Sequence, residues 1–217
     1  MLIDYDTYTL YIKQQGRYSQ PMVRISNQQR SYATRAILLD AGRRAFHADG
    51  FAATSAESLV AAAGLTRGAL YHHFDGKKGL FTEVVALLMA EIEVQTEIAA
   101  DAAPDLWSGL IAGSHTWLKA ATEPDMQRIL LVDAPAVLGW AEFRALDARH
   151  GARSLQAGLD ALAAAGLINV TSTTALTHAL NGAFNELALW VAHADQRDVA
   201  LNEALETLDV ILTSIRR

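Results

Sequence analysis

The chain is predicted to be all-α, an N-terminal three-helix DNA-binding unit with a helix-turn-helix followed by a C-terminal helical bundle. From Ser31 onward apolar residues recur at three- and four-residue spacing, and no stretch alternates as a strand would. Helix breakers fall between these stripes, at Gly50, Gly64, Pro104, Pro124, Pro135 and Gly166. With 51% hydrophobic residues and only 4 prolines, the 217 residues have the composition of a folded globular protein.

Residues 1–21 are dense in Tyr and Thr, with weak alternation around Tyr8, Leu10 and Ile12, and read as a short strand or a loose arm. Met22 reads as an ordinary protein start, so 1–21 is either a start-site artefact or part of the native chain. The expected division is a disordered extension at 1–27, a DNA-binding unit at 28–80 and a ligand-binding and dimerisation unit at 81–217.

Ile37, Leu38, Ala41, Ala45 and Phe46 form one apolar stripe on a helix that stops at Gly50. Thr54-Ser55-Ala56-Glu57 fits a capping box with Thr54 as the cap and Glu57 returning to its amide. A short helix then runs to Ala62, and Gly64 supplies the left-handed residue that ends it. Thr66 caps the next helix, Arg67 to about His73. Two short helices joined by a tight Gly-containing turn make a helix-turn-helix. A long amphipathic helix follows from Lys77 to about Ala99, with Leu80, Val84, Leu87 and Leu88 on its apolar side and Glu91 and Glu93 on its charged side. Later helices are expected over 104–121, 125–133, 136–165, 173–193 and 199–215.

The formal net charge of −6 argues, taken whole, against a nucleic-acid partner. Its distribution reverses the inference. Residues 22–82 hold eight basic and four acidic residues, a net of +4, while residues 83–217 hold eight basic and eighteen acidic, a net of −10. The two parts are built for different partners. Cysteine is absent, which excludes disulfide scaffolds and thiolate metal sites and fits a reducing compartment. The longest apolar runs are about eight residues, such as 161–168, far below the roughly 20 needed to cross a bilayer. No secretory signal precedes them, so the cytoplasm is the expected location and no membrane partner is expected.

Residues 37–81, about a fifth of the chain, resemble the tetracycline-repressor (TetR) family of bacterial transcription regulators. The resemblance rests on Ile37, Ala41, Phe46, Gly50-Phe51, Thr54-Ser55, Ala63-Gly64-Leu65-Thr66, Gly68, Tyr71, Phe74 and Lys77. Val60, Gly42, Gly76 and Lys78 depart from the family's preferences for Ala, Ala, Ser and Glu. It implies that Thr54, Tyr71 and Lys77 contact the DNA backbone and that Thr66, Arg67, Gly68 and His72 read bases.

The residues support those roles on physical grounds. A helix-turn-helix places the N-terminal residues of its second helix at base edges in the major groove. Arg67, one residue past the cap, has the fork that binds guanine O6 and N7 together. Gly68 lets the backbone approach, and Thr66 can meet a base or a phosphate. Lys77 stands at a helix start, where its ammonium and the backbone amides can hold a phosphate together. His72 and His73, adjacent on a helix, point about 100° apart and make no metal site.

For the acidic body, the resemblance implies a dimer with a ligand cavity. Ala179, Gly182 and Ala183 permit close helix approach, and Leu205, Leu208, Leu212 and Ile215 on the last helix complete a four-helix interface between two chains. Trp107, Ile111, Ser114, Trp117, Trp140 and Phe143, with Leu130 and Phe184, are candidates to line an apolar pocket. His178, Asn181 and Asn185 share one helix face, and bind ligand, bridge the dimer or meet water.

The expected function is a homodimeric regulator, a repressor by preference, that binds a palindromic double-stranded DNA operator and is released by a small-molecule effector. The alternative is a helical small-molecule-binding protein or enzyme whose helix-turn-helix is only structural. No His-Glu-x-x-His, phosphate-binding glycine loop or nucleophile elbow is present, so no catalytic residue, metal or cofactor is expected.

Overall fold

A computed structural model describes residues 27–217, so the expectations for residues 1–21 and for Met22 lie outside the described residues. The first helix, α1 (Asn27–Ala53), is interrupted at Gly50, whose φ of 77° and ψ of 170° fall outside helical space. The expected stop at Gly50 is therefore a break, after which one further turn leads out. Leu38, Leu39, Ala41, Gly42 and Phe46 face inward, but Ile37, placed in the stripe by spacing, is exposed.

The next helix, α2 (Ala56–Ala62), is capped one residue later than expected. Ser55 is the N-cap: its hydroxyl accepts from the Ser58 amide at 2.9 Å, and the Ser58 hydroxyl accepts from the Ser55 amide at 3.1 Å. Glu57 takes no part in this box. Gly64 (φ 63°) then turns the chain, and the Leu65 amide donates to the Val60 carbonyl at 2.9 Å. Helix α3 (Arg67–Phe74) starts on Thr66, whose hydroxyl accepts from the Ala69 amide at 3.2 Å.

The long helix α4 (Lys77–Asp101) begins almost against the end of α3. A Cβ on Gly79 would lie 1.6 Å from the Phe74 carbonyl oxygen, so no side chain fits there. That contact docks the three-helix unit on α4 and aligns Phe46, Phe81 and Phe51, with edge contacts of 5.0 Å and 4.9 Å between ring centroids. Leu59, Leu70, Leu80 and Phe81 are wholly buried in this core, each contributing on the order of 2 kcal/mol by burial. The same core continues into the body through Ile92, Leu130, Phe143 and Leu146.

Helix α5 (Leu106–Ala121) packs back along α4. The helix expected at 125–133 is a single turn, α6 (Pro124–Gln127), followed by a wide π-helical turn, Arg128–Asp133. The single helix expected at 136–165 is three: α7 (Ala134–Leu138), α8 (Trp140–Asp147) and α9 (Gly151–Ala164). Gly139, at φ 79°, separates the first two, and His150, at φ −119° and ψ −108°, stands before the third. Helices α10 (Thr173–Ala192) and α11 (Arg197–Ser214) close the bundle over a second core of Trp107, Leu118, Leu159, Leu180, Phe184 and Leu208. Among the described residues there is no strand, only an isolated bridge between Ile168 and Arg216, and no helix is long and apolar enough to cross a membrane.

Candidate functional site

Helix α3 buries Leu70 and Phe74 and turns Thr66, Arg67, Gly68, Tyr71 and His72 to the outside. Apolar anchors four residues apart fix its roll, so the polar side is set by the packing of the other. Arg67 is folded onto its own surface: its guanidinium lies 2.8 Å from the Glu57 carboxylate and 5.5 Å from the Tyr71 ring centre. The hydrogen bond to the Tyr71 hydroxyl, with attraction from Tyr71 and Glu57, raises the Arg67 pKa further. His73, half-turned inward, has its pKa lowered by burial and by the neighbouring charges of His72 and Arg35.

Two of the expected contacts are occupied elsewhere. Thr54 is buried and donates its hydroxyl to the Gly50 carbonyl at 2.7 Å, so that hydroxyl is turned away from the surface. Lys77 turns its ammonium inward, to the carbonyls of Phe51 and Thr54 at 2.8 Å each and over the Phe51 ring at 4.0 Å. It fastens the end of α1 to the start of α4. Gly76 offers α4 no side-chain cap, which leaves the first amides of that helix without an intrahelical partner.

Between α4, α5, α9 and α10 lies a cavity of about 890 Å³. Trp117 and Phe184, tilted rings 5.8 Å apart, supply aromatic wall. Ser114 and Asn181 add buried polar groups, and the Thr96 hydroxyl, also on the wall, is buried with no hydrogen-bond partner. Glu93 closes one side. Expected on the charged face of α4, it is in fact buried, taking a hydrogen bond from Arg153 at 2.7 Å and lying 2.8 Å from His150. Burial opposes its charge, but the bonds from Arg153 and His150 outweigh burial and hold the carboxyl below its ordinary range. Asp147 behaves the opposite way: burial pushes its pKa up against the bond from Asn181 and the nearby charges of Arg144 and His150.

Residues 107–215, half of the chain, match the family model of the tetracyclin repressor-like C-terminal domain, and residues 38–84 match that of bacterial regulatory proteins of the tetR family. The chain belongs to the TetR family. It is 35% identical to a TetR-family transcriptional regulator from Pectobacterium atrosepticum, a crystal structure that it matches over 88% of this chain and 98% of that one with a TM-score of 0.76. It is 40% identical over 73 residues to the HTH-type transcriptional regulator AcrR of Shigella flexneri, a match that spans 34% of AcrR and 33% of this chain. RolR, solved in complex with resorcinol, shares the fold at a TM-score of 0.65 over 83% of this chain and 90% of that one, with 14% identity. The protein is thus a TetR-family transcriptional regulator, with the helix-turn-helix that such regulators carry.

Against this TetR architecture the expected pocket residues separate into three groups. Ser114, Trp117 and Asn181 line the cavity, with Phe184. Phe143, Asn185 and Leu130 line a separate void of about 30 Å³, space for one water, which Trp117 also borders. Trp107 and Ile111 belong to the bundle core, Trp140 is 72% exposed, and His178 lies on the surface beside Arg144 at 3.2 Å. The expected common face of His178, Asn181 and Asn185 is divided accordingly. Asn185 donates to Asn181, while His178 points away. The sequence reading missed Glu93, Thr96, Glu97 and Arg153. The one available signal was the carboxylate pair Glu93 and Glu97, four residues apart on a helix whose apolar face was already assigned.

Proposed function

We propose that the protein is a homodimeric repressor that holds a palindromic operator through α3 and releases it when a small molecule enters the α4–α5–α9–α10 cavity. The observation that carries this reading is the double attachment of α4, which docks α3 through Gly79 at one end and walls the cavity along the other. A ligand that favours one placement of α4 changes the separation of two α3 helices, and so its affinity differs between two states. Thr66, Arg67, Gly68 and His72 read bases, Tyr71 contacts the backbone, and the free amides at the start of α4 take a phosphate. The partner chain packs on the outer faces of α10 and α11, where Ala179 and Gly182 leave room for a close helix and Trp190, Val199 and Val210 are exposed. Half-sites then stand about one helical turn apart, or a multiple of it.

The test is binding to DNA flanking the protein's own gene, followed by anisotropy. Arg67→Ala is expected to cost roughly 1–3 kcal/mol and to relax preference at one base position. Val210→Glu is expected to give a monomer that no longer holds the operator. A Val210→Glu protein that stays dimeric would move the interface elsewhere, and an Arg67→Ala protein with unaltered sequence preference would remove Arg67 from the readers.

A further inference from the structure

We infer that the cavity takes an apolar molecule carrying a positive charge. The inference rests on the cavity being the effector site and adds the chemistry of what fits it.

Five ionisable side chains border the cavity besides its apolar wall: Glu93, Glu97, Asp101, Asp105 and Arg153. Their charges do not cancel. Arg153, the sole basic residue on the lining, is held on Glu93 at 2.7 Å, and this pair neutralises itself with His150 alongside. Asp105 caps α5 through the amide and hydroxyl of Ser108 at 2.9 Å each, and its pKa is lowered chiefly by those bonds. Glu97 accepts only from the Ser154 hydroxyl at 2.8 Å. Neither Glu97 nor Asp101 has a cation within ion-pair distance among the described residues. The lining therefore carries four carboxylates against one arginine, and Glu97, within electrostatic reach of Arg153, stands with Asp101 outside any ion pair.

The remainder of the wall suits the same ligand. Trp117 and Phe184 lie on the same wall, their rings 5.8 Å apart, and aromatic rings attract cations through their quadrupole. Leu106 and Leu110 supply apolar area near the carboxylates. Deeper in, the unpartnered Thr96 hydroxyl offers one hydrogen bond. An anion would have to displace Glu93 from Arg153, and a neutral molecule would leave the two carboxylates unused. Glu97 and Asp101 are exposed at the rim, so they act as partly screened charges, which still favour a cation over an anion of the same shape.

Tetraphenylphosphonium and tetraphenylborate, matched in shape and opposite in charge, test the charge directly by calorimetric titration of the full chain. The phosphonium is expected to bind and the borate to bind roughly tenfold or more weakly. Glu97→Gln with Asp101→Asn is expected to reduce phosphonium affinity roughly tenfold and to leave the borate little changed or tighter. Gly158→Leu separates cavity binding from loose association with an acidic surface. Gly158 is helical and borders the cavity, and a Cβ there meets nothing within 4 Å, so the site admits a side chain that intrudes on the cavity. It is expected to abolish phosphonium binding. Borate binding equal to or tighter than phosphonium, removed by Gly158→Leu, would overturn the cationic class and leave the effector cavity standing. Phosphonium binding that survives Gly158→Leu, or no binding of either probe, would overturn both.

Discussion

The helix-turn-helix segment and the helical body use hydrogen-bonding side chains over different ranges. Within the helix-turn-helix itself, residues 55–72, side-chain bonds close over three to ten residues: Ser55 with Ser58, Thr66 with Ala69, and Arg67 with Tyr71 and Glu57. In the body, local bonds of the same kind stand beside others that join distant elements. Glu93 meets Arg153 across 60 residues, Arg197 donates to the Thr122 carbonyl across 75, and Arg128 reaches the Ala48 carbonyl across 80. A local network sets the shape of a unit, whereas a long-range one sets how units stand relative to each other. That is the division a ligand-responsive DNA-binding protein requires, with a rigid reader and an adjustable mount.

This contrast is most exposed at Gly79. Gly79→Ala forces a carbon into the Phe74 carbonyl and is expected to cost about 3 kcal/mol or more in denaturant unfolding, with DNA binding lost. A small cost there would mean that the α3–α4 junction yields, and the head would be less rigid than its local bonds imply.

The body's counterpart is Glu93→Gln, expected to cost roughly 2 kcal/mol at neutral pH because Arg153 and His150 lose a buried charged partner. Its pH dependence has a definite sign. The native carboxyl pKa lies below the ordinary 4.5, so its contribution is complete above that value and is lost as pH falls through the depressed native one. The stability gap between wild type and Glu93→Gln should therefore narrow steadily in acid below pH 4.5. A gap that widened would mean the carboxyl is protonated more easily in the fold than out of it.

Lys77 gives the smallest effect and the finest distinction, since it bridges 26 and 23 residues and belongs to the head. Lys77→Met is expected to lower stability by about 1 kcal/mol and to leave the salt dependence of DNA binding unchanged. A salt slope reduced by about one would return the ammonium to a phosphate.

The same difference in range explains what could be read from the residues in order. The helix-turn-helix was legible because Gly64, Thr66 and the Leu70–Phe74 spacing act within a few residues of where they stand. The cap was misplaced by one because Thr54 and Ser55 offer the same hydroxyl. What decides between them is that the Thr54 hydroxyl turns back onto the Gly50 carbonyl four residues earlier, which leaves Ser55 to cap. In the body, Gly139 and Gly151 stand at the two breaks, but the helix expected over 136–165 ran through both. Glu93 looked like a solvated charge because its partners lie 57 and 60 residues away. Trp140 was placed in a pocket by residue type and His178 by its spacing from Asn181 and Asn185, and neither specifies which side of a helix meets a cavity.

The wide turn at Arg128–Asp133 completes the first helix from outside the head. Arg128 donates to the carbonyls of Ala48 and Asp49 at 2.8 and 2.7 Å, and Asp133 accepts the Phe51 amide at 2.8 Å. The open peptide groups around Gly50 are thus finished by two side chains five positions apart on another element. Modularity is limited accordingly. A chimera that joins residues 27–80 to the body of a relative inherits bare peptide groups at 48–51 unless the recipient brings its own arginine and aspartate at that interval. The seam for exchanging readers between such regulators therefore runs through three places in the chain rather than one.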